Sequence, residues 1–235
     1  MAQLRMQWPP LTLNFKILAG LLFALWLASL PDSPLHPVMR QFLVLSSDSV
    51  LQDAQVWTLF SYAFFHADFM HLAFNLMVLY LFGGRIDASW STTRWWRFNA
   101  LCILGGALAV VLSQALLQSS QPTLGYSAAV TGVVAAFAVY NWDRTIYLFF
   151  FPVKGKWILP IIVGIDVLRV LSGAPISIAG HLGGMITGLL LVSGWWRPSK
   201  LKKAYRRHKR AKERQAKREQ FKVLNRDPES DRRLN

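Results

Sequence analysis

Six apolar stretches, separated by short polar segments, fill most of the first 196 residues of the chain. A helix that spans a lipid bilayer needs about 20 mostly apolar residues. The pattern therefore predicts an all-α, polytopic membrane protein built as a bundle of six transmembrane helices. In chain order, the predicted spans cover residues 13–30, 56–82, 98–117, 125–140, 157–171 and 178–195.

The first of these stretches also has features of a signal peptide, because it follows the basic residue Arg5. Its length and the lack of a small-residue cleavage site after it favour a membrane span. Residues 31–55 are predicted to be a loop, and the aromatic segment YLFFFPVKGKW after the fourth span is predicted to be a loop or an interfacial segment.

Charge is distributed very unevenly along the chain. Only 16% of the residues are charged, against roughly 25% in soluble domains. The net charge is nevertheless +14, because 16 of the 26 Lys and Arg residues lie from Arg197 onward. This distribution predicts a short start (residues 1–12), a membrane domain (13–196) and a basic tail (197–235).

Loop charges orient the predicted spans. The start, the loops after spans two and four and the tail are net positive, whereas the remaining loops are acidic or nearly neutral. At the far end of span five, Asp166 is balanced by Arg169. Basic loops remain in the cytoplasm, so both termini are predicted to be cytoplasmic. That topology requires an even number of spans, in agreement with six.

Polar side chains interrupt three of the spans. They are His66, Asp68, His71 and Asn75 in span two, Ser127 and Thr131 in span four, and His181 in span six. All three spans run inward, and each polar set lies in the outer half of its span, so the sets should meet at one depth. Ionisable groups within a membrane usually mark a functional interior. A hydroxyl, an imidazole and further donors are the parts of an acyl-transfer site.

Each of these residues also has a simpler interpretation. A serine in a membrane helix usually bonds its own backbone or a neighbouring helix. The glycines beside the polar residues favour close helix packing, which would bring spans four and six together: Gly125, Gly132, Gly183, Gly184 and Gly188. His66 and His71 could bind a metal, but their spacing of five residues diverges on a helix. We therefore expect neither a metal nor a cofactor.

Three motifs in this order resemble the rhomboid intramembrane proteases: HADFMHLAFN, GYSAAVTG and HLGGMITG. The resemblance covers roughly residues 56–192 and implies a six-helix core. It implies that Ser127 attacks the scissile carbonyl and that His181 takes the serine proton. His71 and Asn75, with the backbone N–H of Ser127, would hold the oxyanion. His66 and Gly125 would support the site.

Two positions depart from the family pattern. Ala128 follows the nucleophile where glycine is usual, and Thr131 stands where an aromatic residue often stacks on the catalytic imidazole. No acidic third member is recognised in the sequence, so the group that orients His181 is left open.

The resemblance implies that transmembrane proteins are the substrates. A catalytically inactive relative that binds or escorts membrane clients is the alternative function. A transporter is disfavoured, because paired repeats are lacking. The tail is predicted to bind anionic lipids rather than nucleic acid, since each basic residue near an anionic leaflet contributes about 1 kcal/mol. A bacterial inner membrane is the predicted location, with a eukaryotic organelle as the alternative.

Overall fold

The structure is a computed structural model that describes residues 8–148, 151–173 and 177–194. Every element below lies within Met1–Ser193, the first of the two units into which the chain divides. Part of the predicted start and the whole predicted tail lie outside the described residues. The cytoplasmic location of both termini therefore stays a prediction.

Helix α1 (Leu13–Ala28) agrees with the first predicted span and begins where Thr12 caps it. The following segment was predicted to be a loop, but it contains α2 (His36–Leu43) and α3 (Ser47–Leu51). Ser46 and Ser49 form a reciprocal capping box that starts α3. These short helices place Leu45 beside Thr123, where the two backbones exchange hydrogen bonds of 3.0 and 2.8 Å.

The predicted second span is wrong at both ends. Its first part forms α4 (Thr58–Ser61) and a 3₁₀ turn (Tyr62–Phe64), after which the helix is interrupted. A new helix begins at Phe69 because the Asp68 side chain accepts a 2.8 Å hydrogen bond from the N–H of His71. It continues to Ser89 as α5 (Phe69–Val78), a π-helical turn (Leu79–Gly83) and α6 (Gly84–Ser89).

Four further helices follow. They are α7 (Thr92–Leu116), α8 (Ser127–Tyr140), α9 (Ile158–Leu171) and α10 (Ile178–Ser193). The aromatic segment, predicted to be a loop or an interfacial segment, forms an antiparallel hairpin of β1 (Thr145–Leu148) and β2 (Phe151–Lys154). Its β-branched and aromatic residues favour extended backbone. Gly155–Trp157, a 3₁₀ turn, leads into α9.

The fold is mostly helical, as predicted. In the part of the chain that the structure describes, two helical stretches, Phe69–Ser89 and Thr92–Leu116, are long and apolar enough to cross a membrane. Helices α1, α8 and α10 are also apolar but shorter, with 16, 14 and 16 residues. The count of six spans is therefore still a prediction.

Helix α8 is the most deeply buried element, and it packs against α7 and α10. A Cβ atom added at Gly184 of α10 would overlap the carbonyl of Ala128, with its carbon only 2.7 Å away. One added at Gly188 would lie 2.5 Å from the carbonyl oxygen of Gly132. The prediction that glycines let these two helices approach closely is confirmed for this pair of positions.

Candidate active site

Ser127 is the first residue of α8 and is half-buried. The first backbone N–H groups of a helix have no partners within the helix. Tyr126, which precedes the helix, provides no side-chain cap. The serine hydroxyl therefore stands beside free backbone donors, an arrangement that can stabilise a developing negative charge.

Gly125 shapes the approach to Ser127. Its φ of +105° lies in the left-handed region that favours glycine. A Cβ at this position would lie 2.6 Å from Cε1 and 2.7 Å from Nε2 of His71. The absence of a side chain thus allows the His71 ring to lie directly against the backbone two residues before the serine.

His66 contacts the backbone just before Ser127. Its ring is buried, and Nε2 accepts a 3.3 Å hydrogen bond from the backbone N–H of Tyr126. The rings of His66 and His71 meet edge to face, with their centroids 5.1 Å apart. His66 therefore holds the backbone next to Ser127, which is the arrangement expected of a supporting residue.

Asn75 lies one helical turn after His71. It is buried, and its Nδ2 has no hydrogen-bond partner among the described residues. An unsatisfied buried donor typically costs about 1–3 kcal/mol. A role in the reaction would explain why this donor is unpaired: Nδ2 could donate a hydrogen bond to the oxygen of a reacting carbonyl group.

His181 has a carboxylate partner that was not predicted from the sequence. Its Nδ1 lies 2.7 Å from Oδ2 of Asp166 on α9. In the sequence, Asp166 is predicted only to balance the charge of Arg169, but the structure places its carboxylate against the His181 ring. The available signal was a lone carboxylate inside an apolar span, which should have been assigned a partner.

Thr131 contacts the backbone of His181 and not its ring. The threonine hydroxyl lies 3.0 Å from the carbonyl oxygen of His181 and 3.1 Å from that of Ala128. In the described part of the chain, no aromatic ring packs on the imidazole. Thr131 therefore links α8 to α10 at the level of His181, but it does not replace the family's aromatic residue.

We expect Thr131→Val to weaken this link without removing catalysis. Valine keeps the shape of threonine but leaves the His181 carbonyl without the hydroxyl. Such interhelical bonds contribute about 0.5–1 kcal/mol. Thermal unfolding in detergent should show a small loss of stability. Even if the whole of that free energy were added to the reaction barrier, the rate of reporter cleavage should fall by only about fivefold or less. Loss of all cleavage in a folded variant would show that Thr131 has a direct role in the reaction.

Ala128 is accommodated by a glycine on the facing helix. A Cβ at Gly106 of α7 would lie 2.5 Å from the Ala128 methyl group. The methyl group therefore occupies space that Gly106 leaves open. The first departure from the family pattern is thus compensated by a small residue on α7.

The structure brings the predicted residues into one region, but its described part does not show the expected hydrogen bond between Ser127 and His181. Thr131 and Gly184 place the start of α8 against α10 at His181. Within the described residues, however, no hydrogen bond joins Ser127 Oγ to the His181 ring. Catalytic hydrogen bonds are often long in ligand-free structures and tighten when substrate binds.

The family model named Rhomboid domain matches residues 53–197. The chain belongs to the rhomboid family. This is a family of membrane-embedded proteins, and its members include serine proteases. The match includes every residue of the candidate site.

Curated relatives of this rhomboid are distant. RHOMBOID-like protein 12, mitochondrial, from Arabidopsis thaliana is 28% identical over 63% of this chain and 48% of that protein. Rhomboid-type serine protease 2 from Emericella nidulans is 28% identical over 54% of this chain and 24% of that protein. Rhomboid protease GlpG from Haemophilus influenzae is 26% identical over 59% of this chain and 69% of that protein. The chain thus matches half or less of the first two relatives.

Proposed function

We propose that this rhomboid is a serine endopeptidase that cleaves membrane proteins within or next to a transmembrane helix. The observation that carries the proposal is the position of Ser127 at the uncapped start of α8, two residues after Gly125, whose backbone lies against the ring of His71. Acyl transfer requires a nucleophile and oxyanion donors that can act on the same carbonyl group.

In the proposed mechanism, Ser127 Oγ attacks the carbonyl carbon of the scissile bond while His181 Nε2 takes the hydroxyl proton. The negative charge on the former carbonyl oxygen is held by the N–H of Ser127 and the side chains of His71 and Asn75. His181 then gives the proton to the leaving amine, and the peptide C–N bond breaks. Water, activated by the same imidazole, hydrolyses the acyl-enzyme.

Asn75→Ala is expected to lower kcat with little change in KM. Its free Nδ2 would act on the oxygen only when negative charge develops there. Removing one oxyanion donor typically lowers kcat by about 10²–10³-fold. Cleavage of a transmembrane reporter in proteoliposomes measures both constants. An increase in KM alone would indicate that Asn75 binds substrate and does not stabilise the transition state.

The substrates proposed here are transmembrane helices with small or helix-weakening residues near the outer face of the membrane. A helix in lipid keeps its peptide bonds in internal hydrogen bonds, so it must unwind before a serine can attack. We also propose six membrane spans with both termini in the cytoplasm, as the loop charges predict. The relatives include mitochondrial proteins and a bacterial one, so the bacterial inner membrane remains a prediction from the sequence.

A catalytically inactive protein that binds membrane clients is the second candidate. The missing hydrogen bond between Ser127 and His181, among the residues described, is the observation in its favour. Purified protein in liposomes should cleave reporters whose transmembrane helices contain glycine near the outer face. If no reporter is cleaved while clients bind equally to the wild-type and Ser127→Ala proteins, the inactive alternative is correct.

A further inference from the structure

Asp166 occupies an unusual position on its helix. Most of the apolar residues of α9 are exposed, and only Ile158 and Asp166 are buried. Burying a carboxylate away from water is costly unless it gains a close, hydrogen-bonded partner. That partner is the His181 ring, 2.7 Å away. The one carboxylate of α9 is thus directed at the imidazole that the proposed mechanism uses as its base.

The hydrogen bond determines which ring nitrogen is free. An ionised carboxylate can only accept hydrogen bonds, so Nδ1 of His181 must carry the proton that joins it to Asp166. In the neutral ring, Nε2 is then left with its lone pair exposed. This is the tautomer that a general base needs to accept a proton from a serine hydroxyl.

Asp166 is the only side chain, among the described residues, that hydrogen-bonds the His181 ring. Thr131 bonds the backbone carbonyl of His181, and no described aromatic ring packs on the imidazole. The charged or titratable side chains that act on this region are Asp166, which bonds the His181 ring, and His71, which in turn interacts with Arg169 and Asp68. An orienting role for the ring therefore falls to Asp166.

We propose that Asp166 is a positioning residue that completes a Ser127–His181–Asp166 triad. It holds the ring with Nε2 available, and its negative charge stabilises the imidazolium that forms when the serine proton is transferred. The serine proton stays on the imidazole and is not passed on to the carboxylate. This assignment rests on the proposed protease function. It identifies the group that orients the His181 ring, a role that Thr131 does not fill because it bonds the backbone of His181 and not its ring.

Two substitutions separate the charge of Asp166 from its shape. Asp166→Asn keeps the volume and removes the charge, whereas Asp166→Glu keeps the charge and adds a methylene group. We expect Asp166→Asn to lower kcat by about 10²-fold or more with KM nearly unchanged. Asp166→Glu should retain at least about tenfold more kcat than Asp166→Asn. A packing role predicts the opposite order, because the isosteric residue would then be tolerated better.

The experiment uses the full chain in proteoliposomes, with kcat and KM measured for a transmembrane reporter and thermal unfolding measured in parallel. Asp143→Asn is the matched control, since its carboxylate is exposed, and it should behave like wild type. If Asp166→Asn equals or exceeds Asp166→Glu in kcat, the triad is wrong while the protease function stands. If wild-type protein shows no Ser127-dependent cleavage, the protease function fails, and the triad with it.

Discussion

Replacing Ser127 by alanine is expected to lower the rate of reporter cleavage by about 10⁴-fold or more. The substitution removes the atom that would form the acyl-enzyme, and loss of the nucleophile in a serine protease leaves only the contribution of the oxyanion donors. Because Ser127 is the first residue of α8 and its side chain makes no hydrogen bond in the described structure, the variant should fold normally. Cleavage of a transmembrane reporter in proteoliposomes measures the effect.

Ser113→Ala is a suitable control for this prediction. Ser113 also lies on a membrane helix and is half-buried, but its hydroxyl bonds the carbonyl of Val110, three residues earlier in the same helix. Its loss should leave the cleavage rate unchanged. Full cleavage by Ser127→Ala protein would show that another residue is the nucleophile or that a contaminating protease acts on the reporter.

A single methyl group at Gly184 is expected to separate α8 from α10. In the variant Gly184→Ala, the new Cβ would lie 2.8 Å from the Cα and 2.7 Å from the carbonyl carbon of Ala128. These are backbone atoms, so no side-chain rotation can relieve the overlap and the helices must move apart. Overpacking of this kind costs about 1–3 kcal/mol. The movement would also shift His181, three residues earlier, away from Ser127.

Gly184→Ala should therefore lower both the unfolding temperature and kcat. Gly164→Ala provides the contrast, because a Cβ built at Gly164 on α9 would meet no described atom within 4 Å apart from the adjacent backbone of its own helix. There the change should be neutral or stabilising by about 0.5–1 kcal/mol, since alanine favours a helix. Equal stability of both variants would contradict the close packing of α8 on α10.

The sequence predicted the ends of α1, α8, α9 and α10 to within a few residues. These helices coincide with apolar stretches that are bounded by polar or small residues, so composition alone locates them. The second span was misplaced because the apolar stretch continues through Tyr62 and Phe65. Its interruption depends on Asp68, which caps a new helix at Phe69. A local hydrogen bond therefore decided the boundary, and hydropathy cannot show it.

Some residues of the candidate site could be predicted from the sequence, and others could not. Ser127, His71, Asn75 and His181 were found because they lie within recognisable motifs. Asp166 was missed because it lies 15 residues before His181 and on another helix. Its role depends on how α9 packs against α10, and no sequence spacing encodes that arrangement. The role of Thr131 in bonding the His181 carbonyl likewise became visible only in three dimensions.

The most direct test of the proposed protease is covalent labelling by a fluorophosphonate probe in membranes or mild detergent, with the modified residue identified by mass spectrometry. Such probes react with a serine whose hydroxyl is activated by a neighbouring base. The proposed mechanism predicts one adduct, on Ser127, that is lost in both Ser127→Ala and His181→Ala proteins. An adduct that persists in Ser127→Ala protein, or wild-type protein that forms no adduct while it is folded, would contradict it.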